Sequence, residues 1–234
     1  MSNANTINLD LYEHFDAQAW LVLIIDENKL HEVPHIYLNE EILNQDLDVF
    51  RQKFPEIEPS VVCATLGGAI YFSLCNGLEY IVLRSFMNIT INITHDEIQH
   101  LADAAFFFVQ IIDLLQNKIS KNTFIERVAN TKIYFVSATT NPENYIARRQ
   151  DIIFGKTIIK IPSPEGDMQE IVPAFLTHDS ARKFADSEGI ITSCNLLKLA
   201  ELWNYTKPII IEPKRRFSVR ISADELTRLK NKNE

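Results

Sequence analysis

His95-Asp96-Glu97 followed by His100 places four metal-ligating side chains within six residues. A zinc helix of the H-E-x-x-H type needs its two imidazoles four residues apart, so that both point one way. These are five apart, about 140° round a helix at ~100° per residue, and therefore diverge. The acids read better as first-turn residues placed favourably against a helix dipole. The pair Asp224-Glu225 reads the same way, and no metal site is expected at either place.

Nucleophilic chemistry has no better foothold. The chain contains no G-x-S-x-G, and its cysteines, Cys63, Cys75 and Cys194, form no CxxC and stand in no catalytic setting. They are expected as buried, reduced thiols. Gly67-Gly68, in TLGGAIYF, offers too few glycines to cradle a phosphate and is expected to open a helix. The expectation is a protein that is not an enzyme and holds no cofactor.

The most suggestive polar group is Lys214-Arg215-Arg216 with Arg220. Alternation puts Phe217, Val219 and Ile221 inward and Arg216, Ser218 and Arg220 outward. Such a surface could dock an anion or an acidic protein, or could discourage pairing at a sheet edge.

The elements that position these residues occur twice. Residues 74–101 lie on residues 202–229 at an offset of 128 without a gap. Ile81-Val82-Leu83 meets Ile209-Ile210-Ile211, and Ile89, Ile91 and Ile93 meet Phe217, Val219 and Ile221. Only seven of the 30 positions from Phe72 to Leu101 are identical, so the apolar pattern carries the match. Upstream, Val33-Pro34-His35-Ile36 is paired with Val172-Pro173-Ala174-Phe175, and Trp20–Ile25 with Ile133–Val136. A period of this length implies two supersecondary units, not a solenoid. Each copy predicts a strand, a turn, an alternating strand and a helix opened by a capping box, Thr94 with Glu97 or Ser222 with Glu225. Pro213 suits a turn. The helix starting near Asp96 is expected to continue to about Gln116 and join the copies, its Ala104–Val109 run buried on more than one side. A hairpin is expected around Gly155, within the segment from Asn141 to Gly166.

The second copy resembles the N-terminal domain of the SseB, or enhanced serine sensitivity, family. The residues that carry this are IYFVSA, EIVPAFLTHDSARKFA and KPIIIEPKRRFSVRISADEL. Val172-Pro173-Ala174-Phe175 and Thr177-His178-Asp179 fit the family pattern. Glu212-Pro213 departs from it, standing where the family tends to place Asn-Pro. The resemblance covers about residues 122–226, with a weaker copy in residues 10–101. It implies an α+β fold and brings no catalytic set.

The chain is 46% hydrophobic and 23% charged, as soluble globular domains are. Residues 1–117 carry 4 Lys/Arg against 17 Asp/Glu, and residues 118–234 carry 19 against 14. Overall acidity argues against nucleic acid as a partner, and no apolar run approaches the roughly 18 residues of a membrane span. The expected organisation is a disordered segment 1–10, an SseB-like unit 11–101, a connecting helix 102–117, a second unit 118–229 and a polar tail 230–234. The expected function is a non-enzymatic bacterial protein-interaction or adaptor module in the cytoplasm. Its partner would be a protein, acidic if it meets the basic hairpin, with a homodimer as an alternative. The competing readings are a ligand-binding protein or enzyme with a site between the units, drawing on His31, Glu32, His35, Cys63 and Tyr71, and a secreted effector.

Overall fold

The computed structural model describes residues 11–26, 29–30, 33–137, 158–162, 166–185 and 189–233. The expected disordered segment 1–10 and the part of the expected hairpin before Ile158 lie outside them. The chain forms two compact units, residues 1–109 and 110–234, and the fold is α+β.

The first unit begins with a 3-10 turn, Leu11–His14, and continues through β1 (Gln18–Leu23), the short β2 (Ile25–Asp26) and β3 (Lys29–Leu30), β4 (His35–Tyr37) and α1 (Glu40–Lys53). β5 (Ser60–Thr65), α2 (Leu66–Cys75), β6 (Tyr80–Arg84), β7 (Thr90–Thr94) and α3 (His95–His100) follow. α4 (Ala102–Leu115) contains the division between the units. The sheet order is β5-β1-β4-β6-β7; β4 and β6 run parallel, and the remaining neighbours are antiparallel.

The second unit holds α5 (Lys121–Val128), β8 (Lys132–Ser137), β9 (Ile159–Pro162), β10 (Met168–Ala174) and α6 (His178–Ala185). It ends with β11 (Ile190–Asn195), α7 (Leu196–Leu202), β12 (Ile209–Ile211), β13 (Val219–Ile221) and α8 (Ala223–Asn233). β11 pairs with β8, and β8 meets the residue that follows β10 through the bridge Tyr134↔Phe175. β10 lies parallel to β12, which makes a hairpin with β13.

Register establishes the equivalence of the units. Ile81↔Ile93, Val82↔Asn92 and Leu83↔Ile91 in the first become Ile209↔Ile221, Ile210↔Arg220 and Ile211↔Val219 in the second, each partner 128 residues on. Both capping boxes form. The Thr94 and Ser222 amides each donate to Oε2 of the Glu three residues later at 2.8 Å, and the Glu97 and Glu225 amides donate back at 3.4 and 3.3 Å. A further bond recurs at the other end of each sheet: Gly67 N–H donates to Phe15 C=O, and Leu197 N–H to Ala129 C=O.

Several expectations are corrected. The Val-Pro pairs are one residue out of step, because His35 pairs with Val82 while Pro173 pairs with Ile210. What the copies share is the ladder and the helix caps that follow it, Asn39 for α1 and Thr177 for α6. The helix from Asp96 does not run on to Gln116. Leu101 N–H bonds back only three residues to Ile98 C=O, a tightened turn that separates α3 from α4. The expected polar tail is the last part of α8, with Leu229 buried and Lys232 Nζ 2.6 Å from Glu126 Oε1. Ile159–Pro162 pairs forward with β10, through Ile171↔Ile159. The three thiols are free, but Cys63 and Cys75 are exposed, one on an edge strand and one at the last residue of α2. Cys194 is half-buried, and that burial raises its pKa to about 12.

The Phe-rich run is buried over a wide arc. Ala104, Ala105, Phe107, Phe108, Gln110 and Ile111 of α4 are buried, an arc of about 220° at ~100° per residue. Within the first unit, Phe108 meets Phe15 edge-on at 5.6 Å. A Cβ on Gly67 would lie 2.6 Å from Phe108 Cδ1 and 3.0 Å from Phe15 Cδ2. Gly67 is therefore required by close approach of these two rings.

Candidate functional site

The basic side chains of the second hairpin do not form one free patch. Lys214 and Arg216 are exposed, but Lys214 Nζ stands 5.2 Å over the Phe184 ring. Arg215 Nε lies 3.9 Å from Oε2 of Glu212. Arg220 faces outward on β13 and is half-buried, donating to Oε1 of Gln169. Glu212 is itself unusual: it has φ of 52° and is 2% exposed. Left-handed backbone is several-fold enriched in Asn and uncommon for Glu. The longer side chain compensates by accepting from Leu176 N–H through Oε1 at 2.8 Å.

The corresponding turn of the first unit is built differently. Ser85 is buried and closes the turn, its Oγ accepting from Ile89 N–H at 3.1 Å while Asn88 takes φ of 58°. The tip residues Phe86 and Met87 are 49% and 72% exposed. They stand where the second unit has Lys214 and Arg215.

A cavity of about 290 Å³ lies between α1 and the sheet of the first unit. Its apolar wall includes Val22 of β1, Leu47, Val49 and Phe50 of α1, and Phe54 and Pro59 beyond it. α1 turns Ile42, Leu43 and Leu47 inward against Val22 and Tyr37, with Trp20 packed on the same cluster. Asn39 caps the helix, accepting from Glu41 N–H at 2.8 Å. Val49 and Phe54 remain 50% and 41% exposed at the rim.

The polar end of the cavity joins three elements. Asp46 Oδ2 accepts from Tyr37 Oη at 3.1 Å, from Arg84 Nε at 3.2 Å and from Arg84 Nη2 at 2.8 Å. Arg84 Nη1 also donates to Thr90 Oγ1. Burial, then the Asp46 carboxylate, raises the Tyr37 phenol above its ordinary pKa, outweighing the opposite pull of Arg84. The hydrogen bond that Arg84 donates to Asp46 similarly raises Arg84. Lys53, in the last turn of α1, lines the cavity as well.

Equivalent positions of the second unit hold no such trio. Counting from the caps Asn39 and Thr177, the buried positions Ile42, Leu43 and Leu47 become Ser180, Ala181 and Ala185. Tyr37 becomes Phe175 and Asp46 becomes Phe184, two rings at 5.0 Å. Arg84 becomes Glu212. One backbone plan thus carries an aromatic pair in one copy and a hydrogen-bonded polar trio beside a cavity in the other.

Of the residues suggested for a ligand site, His35 lines the cavity and stacks on Tyr37 at 6.1 Å. Cys63 lies on the edge strand β5, accepting from Gln18 Nε2 at 3.5 Å, and Tyr71 meets Phe106 at 6.0 Å. The structure does not gather these three. His31 and Glu32 lie outside the described residues. His95 and His100 are exposed on α3. Asp46 and Arg84 were not singled out in the sequence; they are separated by 38 positions, and the parallel pairing of β4 with β6 together with the packing of α1 on the sheet unites them.

Among the described residues no helix is long and apolar enough to cross a membrane. No family model matches the chain, and no curated protein matches it. Among solved structures the chain aligns with Anabaena Tic22 (protein transport) at 13% identity, covering 83% of this chain and 84% of that one, with a TM-score of 0.22. A score so low carries no argument about fold or function.

Proposed function

We propose that the protein is a non-enzymatic, SseB-like protein-interaction module of the bacterial cytoplasm, with the first unit's hairpin tip as its principal contact. One observation carries this reading. Two hairpins of identical register end in different chemistry: Phe86 and Met87 stand exposed, whereas Lys214 is laid over Phe184 and Arg215 beside Glu212. Large apolar side chains at the end of a rigid hairpin suit the buried centre of an interface, where aromatic residues and Met are enriched. Lys214, Arg216 and Arg220 would favour an acidic surface on the partner.

The test is a photo-crosslinking amino acid placed at position 86, with position 116, exposed in the turn after α4, as a control. In producing cells position 86 should yield a discrete adduct that Met87→Ser weakens without lowering the melting temperature. Absence of an adduct, or equal adducts from both positions, would overturn the reading.

A further inference from the structure

We infer that the cavity of the first unit is a binding site for a small apolar monocarboxylate, its chain held under α1 and its carboxylate met at the rim by Lys53. This goes beyond the interaction role and does not depend on it.

The walls set the class of ligand. Val22, Leu47, Phe50 and Pro59 offer apolar surface, and a concave site of this composition with a few converging polar groups suits a small molecule. At roughly 30 Å³ per water-sized group, the 290 Å³ cavity admits about ten heavy atoms, the number in octanoate.

Charge sets the head group. Asp46 and Arg84 neutralise one another through their 2.8 Å pair. Lys53 is exposed and has no partner among the described residues, so the charged residues lining the cavity sum to a single positive charge. An anionic head is favoured there, a neutral one tolerated and a cationic one disfavoured.

The internal duplication argues that the site is built. Where the second unit packs Phe175 against Phe184, the first has Tyr37 hydrogen-bonded to Asp46. The polar pair keeps the scaffold and lines the cavity.

Octanoate, hexanoate, octanol and octylammonium, titrated against the full chain, test this, with the fluorescence of Trp20 in a Trp203→Phe background as the readout. Hexanoate should bind about fifteenfold more weakly than octanoate, at about fourfold per buried methylene. Octanol should lose up to about fivefold, as should octanoate against Lys53→Gln, the scale of an exposed ion pair. Tyr37→Phe with Asp46→Phe, which copies the second unit, should abolish binding; if that variant unfolds, the surface variant Lys53→Gln decides. The dipeptide acetyl-Val-Leu, as free acid and as amide, distinguishes a protein C-terminus from a free acyl chain as the source, since preferential binding of either free acid supports the site. No binding by any carboxylate, or equal binding of octanoate, octanol and octylammonium, would overturn it. The crosslink at position 86 is a separate measurement, so failure here leaves the interaction role standing.

Discussion

Replacing Asp46 with Asn probes the polar trio where its geometry is most exacting. A single oxygen, Oδ2, accepts from Tyr37 Oη and twice from Arg84, at 3.1, 3.2 and 2.8 Å. The amide oxygen can still accept at that place, but the negative charge is removed, so the bonds from Arg84 lose their charge assistance. Hydrogen bonds to a charged group contribute about 1.5–3 kcal/mol when buried. Here the side chains of Arg84 and Asp46 are 25% and 35% exposed, so solvent screening reduces the expected cost to about 1–2 kcal/mol. At ~2–4 °C per kcal/mol for a chain of this length, the melting temperature should fall by about 2–8 °C. A cycle of Asp46→Asn, Arg84→Met and the double variant isolates the pair, with an expected coupling of about 1 kcal/mol. A second readout is independent of stability. The Tyr37 phenol, identified by difference against Tyr37→Phe in a tyrosinate absorbance titration, should ionise at lower pH in Asp46→Asn. It should remain above the ordinary tyrosine value, because burial is the larger cause and persists. Zero coupling together with an unmoved phenol would refute the trio.

Two further substitutions test the packing and the caps. Gly67→Ala gains about 1 kcal/mol of helix propensity, but its methyl would lie 2.6 Å from Phe108. Overpacking of about 1–3 kcal/mol should outweigh the gain, so calorimetry should show a lower melting temperature; a rise would mean that the two rings leave room for a methyl group. For Glu225, burial raises the pKa, but bonds from Ser222 and the Lys121 ammonium at 2.9 Å outweigh it and hold the carboxyl below its usual range. The folded pKa lies below the unfolded one, so this contribution is complete above about pH 4.3 and is lost as pH falls through the folded value. Glu225→Gln should lower stability at neutral pH and narrow the difference in melting temperature between neutral and strongly acid solution; an unchanged difference would exclude the capping box as its source.

The hairpins and their helix entries were legible because each depends on local rules. Ile89, Ile91 and Ile93 alternate at the period of a strand, and Thr94 with Glu97 has the spacing that closes a cap. The strands β5 and β11 were not legible. SVVCAT and IITSCN carry apolar doublets, and in β5 both Val61 and Val62 are exposed at the sheet edge, so no buried-face alternation appears. The correspondence of Val33-Pro34 with Val172-Pro173 misled because proline is visible in a sequence and ladder register is not. The cavity had no local signature at all: Tyr37 and Asp46 are nine positions apart, Asp46 and Arg84 38, and their meeting is a product of tertiary pairing.

The duplicated plan is tested most directly by cross-strand nuclear Overhauser contacts in the isotopically labelled full chain. Contacts should link Ile81 with Ile93 and Ile209 with Ile221, then Leu83 with Ile91 and Ile211 with Val219, in one common register. A slip of one residue in either hairpin would turn its side chains to the opposite faces and contradict the equivalence of the two units.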